Sequence, residues 1–149
     1  MIMVELNDNF IIFKINDLLC ALNCMDVQEI IRENKGITSI KRAPGYIEGV
    51  INLRGEIVSV LDLAVLFDFK ENIKKDSASI IVVNFEGECF GFLVSEVLDI
   101  ISDGHGSVEN SPAVPTGMKK EYLKGVFDMD GQLVSLLNVG AVLTQEQVA

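Results

Sequence analysis

Apolar positions recur along this chain in a pattern that appears twice. Residues 45–67, GYIEGVINLRGEIVSVLDLAVLF, form two short apolar runs around Leu53-Arg54-Gly55 and close on a compact apolar cluster. That layout predicts a hairpin running into a short helix. Shifted by 76 positions, residues 122–143 fall on it without a gap. Tyr46 meets Tyr122, Gly49 meets Gly125, Val50 meets Val126, Gly55 meets Gly131, Val58 meets Val134, Ser59 meets Ser135 and Leu61 meets Leu137. Upstream, residues 11–22 parallel 80–91 with Cys20 on Cys89, and 26–31 parallel 96–101 after a one-residue adjustment.

The chain therefore reads as two copies of one unit. Each holds a hairpin, a Val-rich turn or helix, and a second hairpin ending in a short helix, which predicts two small all-β barrels. Gly55 and Gly131 supply the positive φ of a tight turn. The residue before each differs sharply: Asp130-Gly131 is a favoured turn pair, whereas Arg54-Gly55 is not. Two readings of Arg54 stand side by side. It is either a functional side chain or a solvated one in a type II turn whose strained position falls to Gly55.

Taken in order, residues 10–15 and 18–22 predict a hairpin. Asn23 is placed to cap a helix from Cys24 to about Arg32, with Asp26 in its first turn and Val27, Ile30 and Ile31 as its apolar stripe. Glu29 falls off that stripe. Residues 37–40 predict a strand, 68–76 a charged boundary between the copies, and 77–84 with 88–94 a hairpin. Residues 103–116, rich in Gly, Ser and Pro, predict an exposed loop.

Hydrophobic residues make up 49% of the 149 positions, enough for a well-filled interior, and no apolar run approaches a membrane span. The first nine residues lack a basic region followed by an apolar core, so no secretory leader is expected. Three cysteines without framework spacing fit reduced thiols in the cytoplasm, with Cys20 and Cys89 expected in the core. The formal charge is 12 − 22 = −10, divided as 7 − 10 = −3 over residues 1–70 and 5 − 12 = −7 over 71–149. A phosphate backbone calls for a basic groove with stacking aromatics, and an acidic chain with no tryptophan offers neither. Acidity instead steers it towards basic protein surfaces.

Catalytic signatures are missing. His105 is the one histidine and lies between glycines in the predicted loop; no nucleophile elbow, P-loop or dinucleotide fingerprint occurs. Cys20 and Cys24 are four apart but have no second cluster to complete a metal site. No catalytic residue, cofactor or metal is expected.

The run Gly49-Val50-Ile51-Asn52-Leu53-Arg54-Gly55, followed by Ile57-Val58 and Val60-Leu61-Asp62-Leu63, resembles the signature of the CheW family of bacterial chemotaxis coupling proteins. The likeness extends through Val27-Gln28-Glu29-Ile30, Ala43-Pro44-Gly45-Tyr46, residues 91–94 with Glu96-Val97, and Tyr122-Leu123-Lys124-Gly125. It implies an all-β fold of two intertwined five-stranded SH3-like barrels within a single domain over 1–149. Residues 10–70 and 77–143 would be the two repeats, with strands free to exchange between barrels. It also implies a non-catalytic cytoplasmic adaptor. Its partners would be the regulatory domain of the CheA histidine kinase and the cytoplasmic tip of methyl-accepting chemoreceptors, without nucleic acid and without membrane insertion.

By the same resemblance, Val27, Glu29, Gly49, Arg54, Gly91 and Ile100 match a receptor-binding groove, and Ile57 and Ser59 match a kinase-contact strand. The sequence departs from the family pattern at Ser59, usually proline, and Ser95, usually aspartate. Two other functions remain open at this point: a scaffold for a different sensory histidine kinase, and a small enzyme or ligand-binding domain using the His105 loop.

Overall fold

Tight turns fix four hairpins. At Arg54-Gly55, Glu86-Gly87 and Asp130-Gly131 both turn residues have positive φ, and at the fourth Asn16 does. Such turns match the right-handed twist of the strands they join. The structure is a computed structural model, and it describes residues 9–32, 36–102 and 118–145. The strands are β1 (Phe10–Ile15), β2 (Leu18–Asn23), β3 (Val27–Ile31), β4 (Ile47–Leu53), β5 (Glu56–Asp62), β6 (Ser79–Phe85), β7 (Glu88–Val94), β8 (Glu96–Ile101), β9 (Leu123–Met129) and β10 (Gln132–Leu137). Two short helices, α1 (Leu63–Leu66) and α2 (Val139–Gln145), follow β5 and β10.

The chain builds two five-stranded sheets, ordered β8-β1-β2-β10-β9 and β3-β6-β7-β5-β4. Each sheet takes its first hairpin from one half of the chain and its other three strands from the other half. Parallel pairs make one join in each sheet, Ser135 and Leu136 beside Cys20 and Ala21 in one and residues 59–62 beside 90–93 in the other, and the antiparallel pairs β1–β8 and β3–β6 make the second. The all-β architecture of two intertwined five-stranded units matches the expected fold class.

Alternation along β1 and β2 decides where the core sits. Ile11, Phe13, Ile15, Cys20 and Leu22 point into a large cluster shared with Val60, Leu61, Phe92, Leu93 and Leu137, so one core spans strands of both sheets. Phe10, Ile12 and Ala21 point the other way, into a smaller cluster with Phe127, Val134 and Leu136. There the Phe10 and Phe127 rings lie 5.5 Å apart. Both faces of these strands are buried, which explains their nearly unbroken apolar runs.

Three expectations change. Residues 24–32 do not form a helix: Asn23 does cap a turn, accepting from the Met25 N–H at 2.9 Å, but that turn stops at Asp26 and β3 follows. A register shift between Val27 and Glu29 spaces the apolar residues as a helix would, and pairing with β6 satisfies the backbone. The upstream repeat also has a different offset. Ser59 lies beside Phe90 and Ser135 beside Cys20, so Cys20 corresponds to Phe90 and Cys89 to Leu19, a shift of 70 that also places Glu29 on Asp99. One residue of slip swaps faces. Cys20 is accordingly buried, with its thiol pKa pushed up by desolvation, whereas Cys89 is half-buried and donates to Gln28 Oε1 at 3.0 Å. Of the predicted strand at 37–40 only a bridge between Thr38 and Val50 forms. The loop at 103–116, His105 included, lies outside the described residues.

The repeat persists in the hydrogen bonding. Asp62 N–H donates to the Tyr46 carbonyl at 2.7 Å and Asn138 N–H to the Tyr122 carbonyl at 2.8 Å. Each side chain then caps the helix that follows it, Asp62 from 3.0 Å at the Ala64 N–H and Asn138 from 3.0 Å at the Ala141 N–H. Asp62 alone carries charge, and with 1% of its side chain exposed it takes Lys75 Nζ at 2.9 Å from the linker between the halves. Asp62→Ala is expected to lower unfolding free energy by about 2 kcal/mol, through loss of cap and ion pair together. Asp62→Asn, which keeps the cap as Asn138 does, should lose less than half of that in urea denaturation.

Candidate partner-binding site

Glu29 and Arg54 stand on opposite edges of one sheet. Glu29 is on β3, the first strand in the order, and Arg54 is in the turn joining β4, the last strand, to β5. Nevertheless Arg54 donates to Glu29 Oε1 at 2.7 Å. The sheet must therefore curl until its two edges approach, as a barrel does. Backbone pairing supports the same closure: the chain leaving β3 returns to β4, where Thr38 and Val50 exchange two hydrogen bonds of 2.8 and 2.9 Å.

Gly49 makes this return possible. A Cβ there would run into the Thr38 carbonyl oxygen and lie 2.8 Å from Ile37 Cγ2. Gly91 is also enclosed, but by side chains, Ile80 Cγ2 at 2.9 Å and Val60 Cγ2 at 3.3 Å. Both glycines are buried. Each therefore marks a place where backbone or side chains pack too closely for a side chain.

The Arg54 side chain is 71% exposed and that of Glu29 25%. The hydrogen bond and charge of Glu29 raise the Arg54 pKa, so the guanidinium remains charged and fixed in direction. Arg54 and Gly55 have φ of 52° and 88°, so the turn has the two left-handed residues of type I′ rather than the single one of type II. The Asn52 carboxamide accepts from the Gly55 N–H at 2.9 Å, as Asp128 accepts from Gly131 at 2.7 Å. Asn, Asp and Gly suit such a position better than arginine does. In the other half the corresponding residues are Asp99 and Asp130, two acids, so the pairing has no counterpart there.

The remaining predicted residues are distributed over both sheets. Val27 is half-buried on β3, packed on the large core. Ile100 lies on β8 of the other sheet with 58% exposure. On β5, Ile57 is 67% exposed and Ser59 is half-buried between Val50 and Phe90. Leu133, the repeat equivalent of Ile57, is exposed to a similar degree at 62% and was missed by sequence reasoning, although the offset of 76 pointed to it. The Asp62–Lys75 pair was missed because nothing local distinguishes Lys75 from the charged residues around it. Ser95 is structural: its hydroxyl accepts from the Asn16 N–H at 2.7 Å and holds the β1–β2 turn. Among the described residues no group of three or more His, Cys, Asp or Glu is placed to hold a metal, and no helix is long and apolar enough to cross a membrane.

The sequence profile of the CheW-like domain matches residues 9–147. The chain belongs to the CheW-like domain family. It is 30% identical over 140 residues to the chemotaxis protein CheW of Klebsiella aerogenes, covering 94% of this chain and 84% of that one. It is 29% identical over 133 residues to the chemotaxis protein CheW of Thermotoga maritima, covering 89% and 85%. The crystal structure of the scaffolding protein TtCheW from Thermoanaerobacter tengcongensis superposes with a TM-score of 0.80 at 29% identity, covering 91% of this chain and 87% of that one.

Within this CheW-like domain the site and its supports are separable. Gly49→Ala forces backbone apart and is expected to destabilise by about 3 kcal/mol, whereas Gly91→Ala, met by movable methyl groups, should cost about 1 kcal/mol. Equal losses in chemical denaturation would contradict the contacts described. Arg54→Asn keeps a residue suited to the turn and removes the ion pair, so the thermal midpoint should stay within about 2 °C of the parent. A fall beyond about 5 °C would show that the pair is needed to close the sheet.

Proposed function

We propose that this chain is a non-catalytic chemotaxis adaptor that couples the cytoplasmic tip of chemoreceptors to the regulatory domain of the CheA histidine kinase. The observation that carries this reading is the exposed Arg54 held against Glu29 at 2.7 Å, on a domain of the CheW-like family. The names of its relatives, chemotaxis proteins and a scaffolding protein, support the adaptor role. No part of this role calls for chemistry. It calls for two docking surfaces held at a fixed angle, and strands shared between two sheets give the stiffness for that.

In this reading Arg54 and Glu29 orient the receptor helix, while Val27 and Ile100 meet its apolar stripe and Gly49 and Gly91 hold the groove beneath. Ile57 and Ser59 form the kinase-facing surface, with Ile57 as the apolar anchor. Both sets are assigned through the family resemblance and agree with the exposure of Arg54, Ile57 and Ile100. The protein would work in the cytoplasm, where both partners present those surfaces.

Isothermal titration with the CheA regulatory domain, followed by titration of that complex with a receptor-tip fragment, tests the reading. Arg54→Asp should weaken the receptor step about tenfold or more and leave the kinase step unchanged; Ile57→Asp should do the reverse. Binding of the kinase domain without the receptor would point to a scaffold for another sensory pathway. Absence of both interactions would sink the proposal.

A further inference from the structure

The strand order begins with β8 in one sheet and with β3 in the other, and these two edge strands flank one seam. Arg32, just past the end of β3, donates from Nη1 to the Val97 carbonyl of β8 at 3.4 Å. At the other end the turn before β3 is tied to β1, the strand next to β8: the Cys24 N–H donates to the Asn9 carbonyl at 2.9 Å, and Phe10 pairs with Ile101. Val27 thus lies towards Ile101 and Arg32 against Val97, so the two strands run past each other in opposite directions. Between those ends β8 exposes Leu98 by 43% and Ile100 by 58%, an apolar strip along the seam.

Arg32 is exposed, and its backbone is held at the end of the seam by the Ser79 hydroxyl, which donates to the Arg32 carbonyl at 3.4 Å. Among the described residues its guanidinium forms no ion pair, and its acceptor is a neutral carbonyl at the long end of the hydrogen-bond range. A carboxylate is a better partner, because a charge-assisted, two-pronged contact is shorter and about twice as strong. The neighbours on β8 narrow where such a carboxylate can rest. Glu96 and Asp99 are exposed acids, so an acidic group on a partner lying along β8 is repelled except at Arg32. We propose that Arg32 is a further receptor-contact residue, which takes a carboxylate from the bound helix and fixes its register along the seam. The inference rests on the reading above that a receptor helix packs on Ile100. Val97 and Ile100 are three residues apart, about 10 Å along a strand, which is about seven residues of helix. The partner therefore carries its carboxylate two turns from the apolar residue that meets Ile100, on the same helix face.

Titration of a receptor-tip fragment into the complex of the full chain with the kinase domain, combined with double-mutant cycles, is the test. Arg32→Gln should weaken the receptor step about tenfold at about 50 mM salt and less than about twofold at about 0.5 M, as for a screened ion pair. The kinase step and the thermal midpoint should stay those of the parent, and Arg32→Lys, which keeps the charge, should recover part of the loss. Among Asp→Asn and Glu→Gln changes in the fragment, the one about seven residues from the position coupled to Ile100→Ala should couple to Arg32→Gln, and the others should not. A packing role for Arg32 would show neither the salt dependence nor coupling to a single carboxylate. Receptor binding indifferent to Arg32→Gln, or coupling to a carboxylate at another spacing, overturns the inference and leaves the adaptor reading standing. A parent chain that binds the kinase domain but not the receptor fragment overturns both.

Discussion

Two parallel pairings, β5 on β7 and β2 on β10, are the contacts on which everything else depends. Each joins strands from different halves of the chain, so neither sheet exists without both halves. Loss of one would leave a two-stranded and a three-stranded fragment with bare edges, and small fragments of that kind have little independent stability. The shared core makes the same demand, since Phe13 and Leu22 of the first sheet pack with Phe92 and Leu93 of the second. The molecule should therefore unfold as one unit, and its two faces keep a fixed relation while it is folded.

How much of this was legible in the sequence depends on the kind of signal. The second hairpins were readable to the residue, because paired tyrosines, glycines and serines hold an offset of 76 through β4–β5 and β9–β10. The first hairpins were located correctly, but the alignment of one on the other was read one residue out, because Cys20 and Cys89 offered an identity that the backbone does not honour. The offset of 70 aligns Cys20 with Phe90, and the error exchanged inward and outward faces. The helix expected at 24–32 failed for a related reason: the register shift at Val27 to Glu29 gives a strand the spacing of a helix. Which strands exchange between sheets was not readable from residues, since periodicity reports faces and says nothing of neighbours.

The site was partly legible. Arg54 drew attention by contrast with Asp130, and the structure supplies the reason why the contrast is informative. Both residues occupy a left-handed turn position, with φ of 52° and 53°, where aspartate is at ease and arginine is not. The arginine gains no turn stability in return. What it gains is reach to Glu29 across the closing edge of the sheet, a contact unknowable from sequence because it depends on curvature. Gly49 was matched to Gly125 in the repeat, and its role became clear only when Thr38 was found against it.

An exposed ion pair is worth little to stability, since water and salt screen it and two flexible side chains must be ordered to make it. Its value here is directional. Glu29 engages Arg54 at a single nitrogen, which leaves other donors of the planar guanidinium free to face outward. A guanidinium tethered in this way has fewer orientations to lose when a partner binds, and reducing that entropy is a route to affinity that needs no additional contact area. In the other half the corresponding residues, Asp99 and Asp130, are both acids and cannot form such a pair, in the part of the chain that carries −7 of the −10 net charge. The duplication has thus kept one backbone and divided its surfaces, one tip with a tethered cation and the other with an acidic rim beside Leu133. A protein with two equivalent tips could not tell its ends apart. This electrostatic difference makes the two ends chemically distinct.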